Sequence, residues 1–204
     1  MDQIHANGGS HLDSRSRRYG ELVFISDEHI MREFVTPQMM AYFGAKLPNV
    51  DLDTLTHRIC ELLKYLMLAP FSPGRILFGK DVDDVWHYWI LQTRQYAQLC
   101  EKLPGETFRH HSSADYVETD DATEASTAEA VQRILSFFIS YYRNFGPVTR
   151  DQLECWPPLQ RVAQEAGWNL DDLNDFLHDQ VITHTVPLRE LSGSGITVSG
   201  QSSS

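Results

Sequence analysis

The 204-residue sequence is poor in cysteine, poor in basic residues, and lacks any long apolar run. Its three cysteines, Cys60, Cys100 and Cys155, are odd in number, lie far apart and form no CxxC pair. That pattern argues against a disulfide framework or a zinc finger and fits reduced intracellular thiols. Against 28 Asp+Glu stand 17 Lys+Arg, a formal net charge of -11 with histidine neutral. The bulk field therefore opposes binding to nucleic acid or to an anionic membrane surface. The longest apolar candidate, Leu62 to Phe71, is short of the roughly 18 residues a spanning helix needs and is interrupted by Lys64 and Pro70. The opening MDQIHANGGS has neither the basic start nor the apolar stretch of a secretory leader, so the expected location is the cytosol. GxSxG, Walker, GxGxxG and HExxH motifs are missing, and common hydrolase, nucleotide and zincin readings lose their anchors.

What is present is mostly helical periodicity. The expected fold is mainly α, an irregular multi-helix bundle. Glu21 to Ser26 is too short for periodicity to separate one N-terminal strand from an extended lead-in. Ser26 caps a helix through about Phe34, and Thr36-Pro37 supplies a cap and a first-turn proline for a second through about Ala45. Over Asp53 to Leu68, Leu55, Ile59, Leu62, Leu63 and Leu66 recur mainly at three- and four-residue steps until Pro70. Asp81 to Leu103 reads as the longest helix, its stripe formed by Val82, Val85, Trp86, Trp89, Tyr96 and Leu99 and stopped by Pro104-Gly105. Ser126 with Glu129 has capping-box spacing before Val131, Ile134, Leu135, Phe138 and Tyr142, and Thr149 with Gln152 repeats the device. Short helices follow around Arg150 to Trp156 and Leu159 to Ala166, and Asn169 caps the last.

Composition divides the chain into a flexible arm (1–18), a helical core (19–111), an acidic linker (112–128), a C-terminal helical segment packing on the core (129–190) and a Gly/Ser-rich tail (191–204). The stretch with most chemistry is Asp81 to His111, where acidic residues precede a Trp-His pair and a double histidine closes the run. On a helix, Asp83 and Asp84 lie four and three residues before His87, so one carboxylate can orient the imidazole or share a metal with it. A straight helix rises about 24 Å from His87 to Leu103, and an extended return from Pro104 can just bring His110 or His111 back to it. His87, His110 and His111 are thus the candidate metal ligands, for Fe, Zn or Cu, with Asp84 as ligand or orienting group and Tyr96 as donor to a substrate. The alternatives are a His87 packed beside Trp86 and held by Asp83 or Asp84, and a solvated histidine pair. Trp86, Trp89 and Tyr96 read as core, Cys100 as a buried thiol, and Asp81 and Asp83 as carboxylates favoured by the helix dipole. His29 and His57 are single helical histidines that read as structural or solvated rather than as ligands, although either could complete a site built from several helices.

DDVWHYWILQTRQYAQLC followed by LPGETFRHH resembles a signature of glycine-rich-domain-containing-like proteins and a set of uncharacterised bacterial proteins. The resemblance covers roughly 72–111, with matches at Asp84, Val85, Trp86, His87, Leu91, Tyr96, Cys100, Gly105, His110 and His111. Trp89 stands where that pattern has a second histidine. The resemblance implies a helical fold and a shared site, with no agreed reaction. Two functions are expected from the sequence: a metal-dependent protein acting on a small molecule, or a non-catalytic helical module that engages a protein partner.

Overall fold

A computed structural model describes residues 24–72, 74, 76–104 and 128–183, and among these all regular structure is helical. The helices are α1 (Asp27–Phe34), α2 (Pro37–Lys46), α3 (Leu52–Leu68), α4 (Lys80–Leu91), α5 (Thr93–Lys102), α6 (Ala128–Phe145), α7 (Arg150–Glu154), α8 (Pro157–Glu165) and α9 (Leu170–Thr183). No helix in the described residues is long and apolar enough to cross a membrane. The arm, the acidic linker up to residue 127, the tail, His110, His111 and Ser126 lie outside the described residues.

Local chemistry sets the helix starts. The Ser26 hydroxyl accepts from the His29 N–H at 3.2 Å, and the Thr36 hydroxyl accepts from the Met39 N–H at 3.2 Å ahead of Pro37. Asp51 accepts from the Thr54 N–H at 2.9 Å, and this bond, ahead of the one from the Thr54 hydroxyl, holds the Asp51 carboxyl below its ordinary value. Thr149 and Gln152 form a reciprocal capping box, and the Asn169 side chain accepts from the Asp171 and Asp172 N–H groups. Each such cap satisfies backbone donors that the first helical turn leaves without partners.

Helix α3 is the axis of the fold. Every residue from Ile59 to Leu68 is buried, so apolar surface on all its sides is covered, by α1, α2, α4 and α6. Helix α6 in turn carries α8 and α9. One core cluster runs from Ile30 to Val181, so the C-terminal helices share the core of the N-terminal ones.

Asp81 to Leu103 is two helices rather than one. The chain turns at Gln92 (φ -89°, ψ 60°), where the Gln92 N–H donates to the Trp89 carbonyl at 2.9 Å. The apolar stripe fails at that point, because the position one turn after Trp89 is filled by polar Gln92 and Thr93. The corner lets the Trp86 indole N–H donate to the Tyr96 hydroxyl at 2.9 Å. On a straight helix these residues would be separated by about 15 Å of rise. Trp86, Trp89 and Tyr96 are all buried, as their spacing implies.

Residues 24–26 form an extended lead-in, with the Ile25 N–H bonded to the Asn144 carbonyl at 2.8 Å, and residues 21–23 lie outside the described set. Phe24 packs edge-on to Tyr142 and over Gly146, the left-handed residue (φ +88°) that closes α6. A Cβ there would lie 3.1 Å from the Phe24 ring, whereas the left-handed Gly167 (φ +69°) faces open space. Gly146→Ala is therefore expected to lose about 2 to 3 kcal/mol in urea unfolding, and Gly167→Ala only the backbone cost of about 1 to 2 kcal/mol. Equal losses would show that Phe24 yields freely.

Candidate functional site

Two opposite charges sit three residues apart in the apolar middle of α3. Glu61 and Lys64 are both 0% exposed. The Lys64 ammonium donates to Glu61 Oε1 at 2.8 Å, and the Tyr141 hydroxyl from α6 donates to the same carboxylate at 2.9 Å. The Trp156 indole N–H, just before α8, reaches Glu61 Oε2 at 2.7 Å. Lys64 completes its own set with Asp27 Oδ1 of α1 at 2.7 Å and the Tyr141 oxygen at 3.2 Å. Burial opposes the Lys64 charge, but Glu61 and then Asp27 outweigh it and raise the ammonium above its ordinary value. Burial, then the Glu61 charge, pushes the Tyr141 hydroxyl well above its usual range.

His57 stands one turn before Glu61 on α3. Asp27, His57 and Glu61 each present a ligand atom, and these atoms lie within 4.8 Å of one another. Among the described residues no other group of three or more histidine, cysteine and carboxylate side chains converges in this way. The Nε2 atom of His57 is buried and has no hydrogen-bond partner there.

The same histidine lines a cleft of about 590 Å³ between α3, the start of α4 and α7. Its wall is fixed where the Gly79 N–H donates to the Cys155 carbonyl at 2.7 Å. Asp53, Asp81, Asp151 and Glu154 also line it, against Arg58 and Lys80. Both cations are engaged: Arg58 with Asp81, and Lys80 with Asp84 at 2.6 Å. Cys155 at the cleft and Cys60 beside Asp27 are not activated nucleophiles. Burial raises each thiol to about 12, helped at Cys155 by Glu61 and at Cys60 by Asp27.

The residues singled out in the sequence are arranged differently. The His87 side chain is 58% exposed, with Nδ1 2.8 Å from the Asp83 carbonyl oxygen and 3.2 Å from the Asp83 carboxylate. Asp84 pairs with Lys80, and Tyr96 is fully buried with its hydroxyl accepting from Trp86. Asp84, His87 and Tyr96 therefore do not meet at one centre: His87 lies on the exposed side of α4 while Tyr96 is in the core. His110 and His111 fall outside the described residues. The Gln92 corner removes the straight helix along which the double histidine was to return. Sequence reasoning missed Asp27, Glu61, Lys64, Tyr141 and Trp156 as a group. The legible signal was the Glu61 and Lys64 pair inside ICELLKYLML, where a helix buried all round must neutralise its charges internally.

Removing one partner of this network should cost more than removing both charges. Glu61→Ala is expected to lose about 3 to 5 kcal/mol in urea unfolding, because it leaves the buried Lys64 ammonium with Asp27 as its one carboxylate and strips the Trp156 N–H and Tyr141 hydroxyl of their acceptor, and the Glu61→Met/Lys64→Met double variant should lose clearly less. The thiols add a pH dependence. They titrate near 12 when folded and near the ordinary 9.0 when unfolded, so stability holds below about pH 9 and falls as pH rises toward the folded value. At pH 8 iodoacetamide should label Cys60 and Cys155 at least about tenfold more slowly in the native chain than in urea; equal rates would mean open thiols.

No curated protein and no solved structure matches the chain. A family model described as UCP032817-like matches residues 26–140, which takes in α1 to α5 and most of α6. It spans Asp27, His57, Glu61 and Lys64, ends just before Tyr141 and does not reach Trp156. The match covers more than half of the sequence, and the chain belongs to the UCP032817-like family.

Proposed function

We propose that the protein binds a small molecule in the cleft over His57 and acts on it there. The observation that carries this reading is a cleft of about 590 Å³, within the size range of small-ligand pockets, lined by His57 and by more carboxylates than cations. With Arg58 and Lys80 engaged, Asp53, Asp151 and Glu154 leave the lining negative, which favours a molecule bearing an amine or guanidine. The reading places the protein in the cytosol, supported by its reduced-type cysteines. The centre expected from His87, His110 and His111 is supported by residue pattern alone.

A second reading, a helical interaction module, is supported by an apolar groove between α6 and α9 lined by Val131, Leu135, Ile139 and Phe176.

Thermal unfolding in the presence of small alkyl amines and guanidines, against carboxylates of equal size, tests the cleft. A fitting cation at a hundredfold excess over its Kd stabilises by about 2.7 kcal/mol, which corresponds to roughly 5 °C or more in Tm. The shift should vanish in Asp151→Asn/Glu154→Gln. Stabilisation by carboxylates instead, or by neither class, would count against the reading.

A further inference from the structure

We propose that Asp27, His57 and Glu61 form a binding site for a divalent transition metal, an inference that stands whether or not the cleft takes a cationic molecule. His57 and Glu61 are four residues apart and share one face of α3, and the packing of α1 against α3 brings Asp27 to them. Ligand atoms around a tetrahedral Zn²⁺ at about 2.0 to 2.2 Å are about 3.3 to 3.6 Å apart. The three atoms here lie within 4.8 Å of one another, so modest rotation of Asp27 and His57 toward the fixed Glu61 closes the set.

His57 and Asp27 have capacity left for a metal, and Glu61 is held ready beside them. The buried Nε2 of His57 lacks a partner among the described residues, and leaving such an atom unsatisfied costs about 1 to 3 kcal/mol. A carboxylate offers about four lone-pair positions. At Glu61, Lys64 holds Oε1, Trp156 holds Oε2, and the Tyr141 hydroxyl lies 2.9 Å from one oxygen and 3.0 Å from the other, so the group is fixed in orientation and a metal enters by taking the place of Lys64 on Oε1. Asp27 bonds Lys64 through Oδ1, and its side chain is 44% exposed. One nitrogen and two oxygens suit Zn²⁺, Mn²⁺ or Fe²⁺. Three protein ligands also leave a fourth position for water or for a molecule in the cleft that His57 lines.

Lys64 is the competing cation. Its ammonium lies 2.7 Å from Asp27 and 2.8 Å from Glu61, so it already neutralises part of the charge a metal would use. Metal affinity is therefore held down by Lys64, and replacing that residue with an uncharged one of similar length should raise it.

The test is titration of the untagged, chelator-stripped full chain with Co²⁺, followed by visible absorption, and with Zn²⁺ by calorimetry, each variant first checked for native circular dichroism. Expected are one saturable site per chain, at least tenfold weaker binding in His57→Ala and in Asp27→Asn, at least tenfold tighter binding in Lys64→Met, and no change in His87→Ala. Asp27→Asn changes a partly exposed group and carries the test if His57→Ala does not fold. Absence of saturable binding in both the native chain and Lys64→Met overturns the proposal. So does affinity unchanged by both His57→Ala and Asp27→Asn, or metal lost in His87→Ala. These titrations contain no amine, so their failure leaves the cleft reading intact, and failure of the amine test leaves the metal site intact.

Discussion

The Glu61 carboxylate is the constraint on which the rest of the structure depends. It lies at the centre of a helix buried on all sides, where an unpaired charge would be intolerable, and its partners come from different parts of the chain. Lys64 is one turn along α3, Tyr141 is on α6, and Trp156 precedes α8, 95 residues from Glu61 in sequence. Through Lys64 the network continues to Asp27 on α1. Hydrophobic packing alone would fix less sharply how α1 and α6 sit on α3, because apolar contacts carry little directionality. Hydrogen bonds to one carboxylate admit few arrangements, so Glu61 fixes how the surrounding helices meet.

The aromatic core takes its geometry from the same point. With its N–H held by Glu61, the Trp156 indole has a set orientation. Phe138 at 5.2 Å, Phe137 at 5.4 Å, Phe78 at 6.2 Å and Tyr65 at 6.3 Å pack around it in edge or tilted arrangements. Rings prefer such contacts to stacked sandwiches, and the preference is satisfied only when the central ring cannot turn freely. A polar anchor and an apolar cluster thus act as one unit, joining the loop before α4 to α3, α6 and the start of α8.

Much of the fold was legible because helix signals are local. Ser26, Thr36, the Thr149 and Gln152 box and Asn169 act within three residues of themselves, and the structure uses all of them as caps. The burial of Trp86, Trp89 and Tyr96 followed from spacing. The Gln92 corner was harder, because it carries neither proline nor glycine and announces itself only as a missing apolar position. The site was least legible. Asp27, His57, Tyr141 and Trp156 reach Glu61 or Lys64 through tertiary packing, and an isolated helical histidine such as His57 looks the same in sequence whether its ring meets solvent or a carboxylate. The Trp-His segment drew attention because its residues cluster in sequence, yet a helix that buries Trp86 and Trp89 on one side leaves His87 on the other.

The contrast within α3 gives the candidate site its character. Glu61 is bonded on both oxygens and cannot reorient without breaking contacts to α6 and Trp156. One turn earlier His57 lies at the cleft wall with an unsatisfied buried nitrogen, and Asp27 is partly open to solvent. A binding centre needs both properties, donors fixed in advance by their neighbours and some capacity left unused. Along this one face of α3 the buried middle of the helix supplies the rigidity, and the turn before it, with Asp27 of α1, supplies the capacity. Lys64 sits between them as the charge that keeps Asp27 and Glu61 together. Without that ammonium two carboxylates would face each other at the edge of a low-dielectric core, so any cation that enters must either share them with Lys64 or take its place.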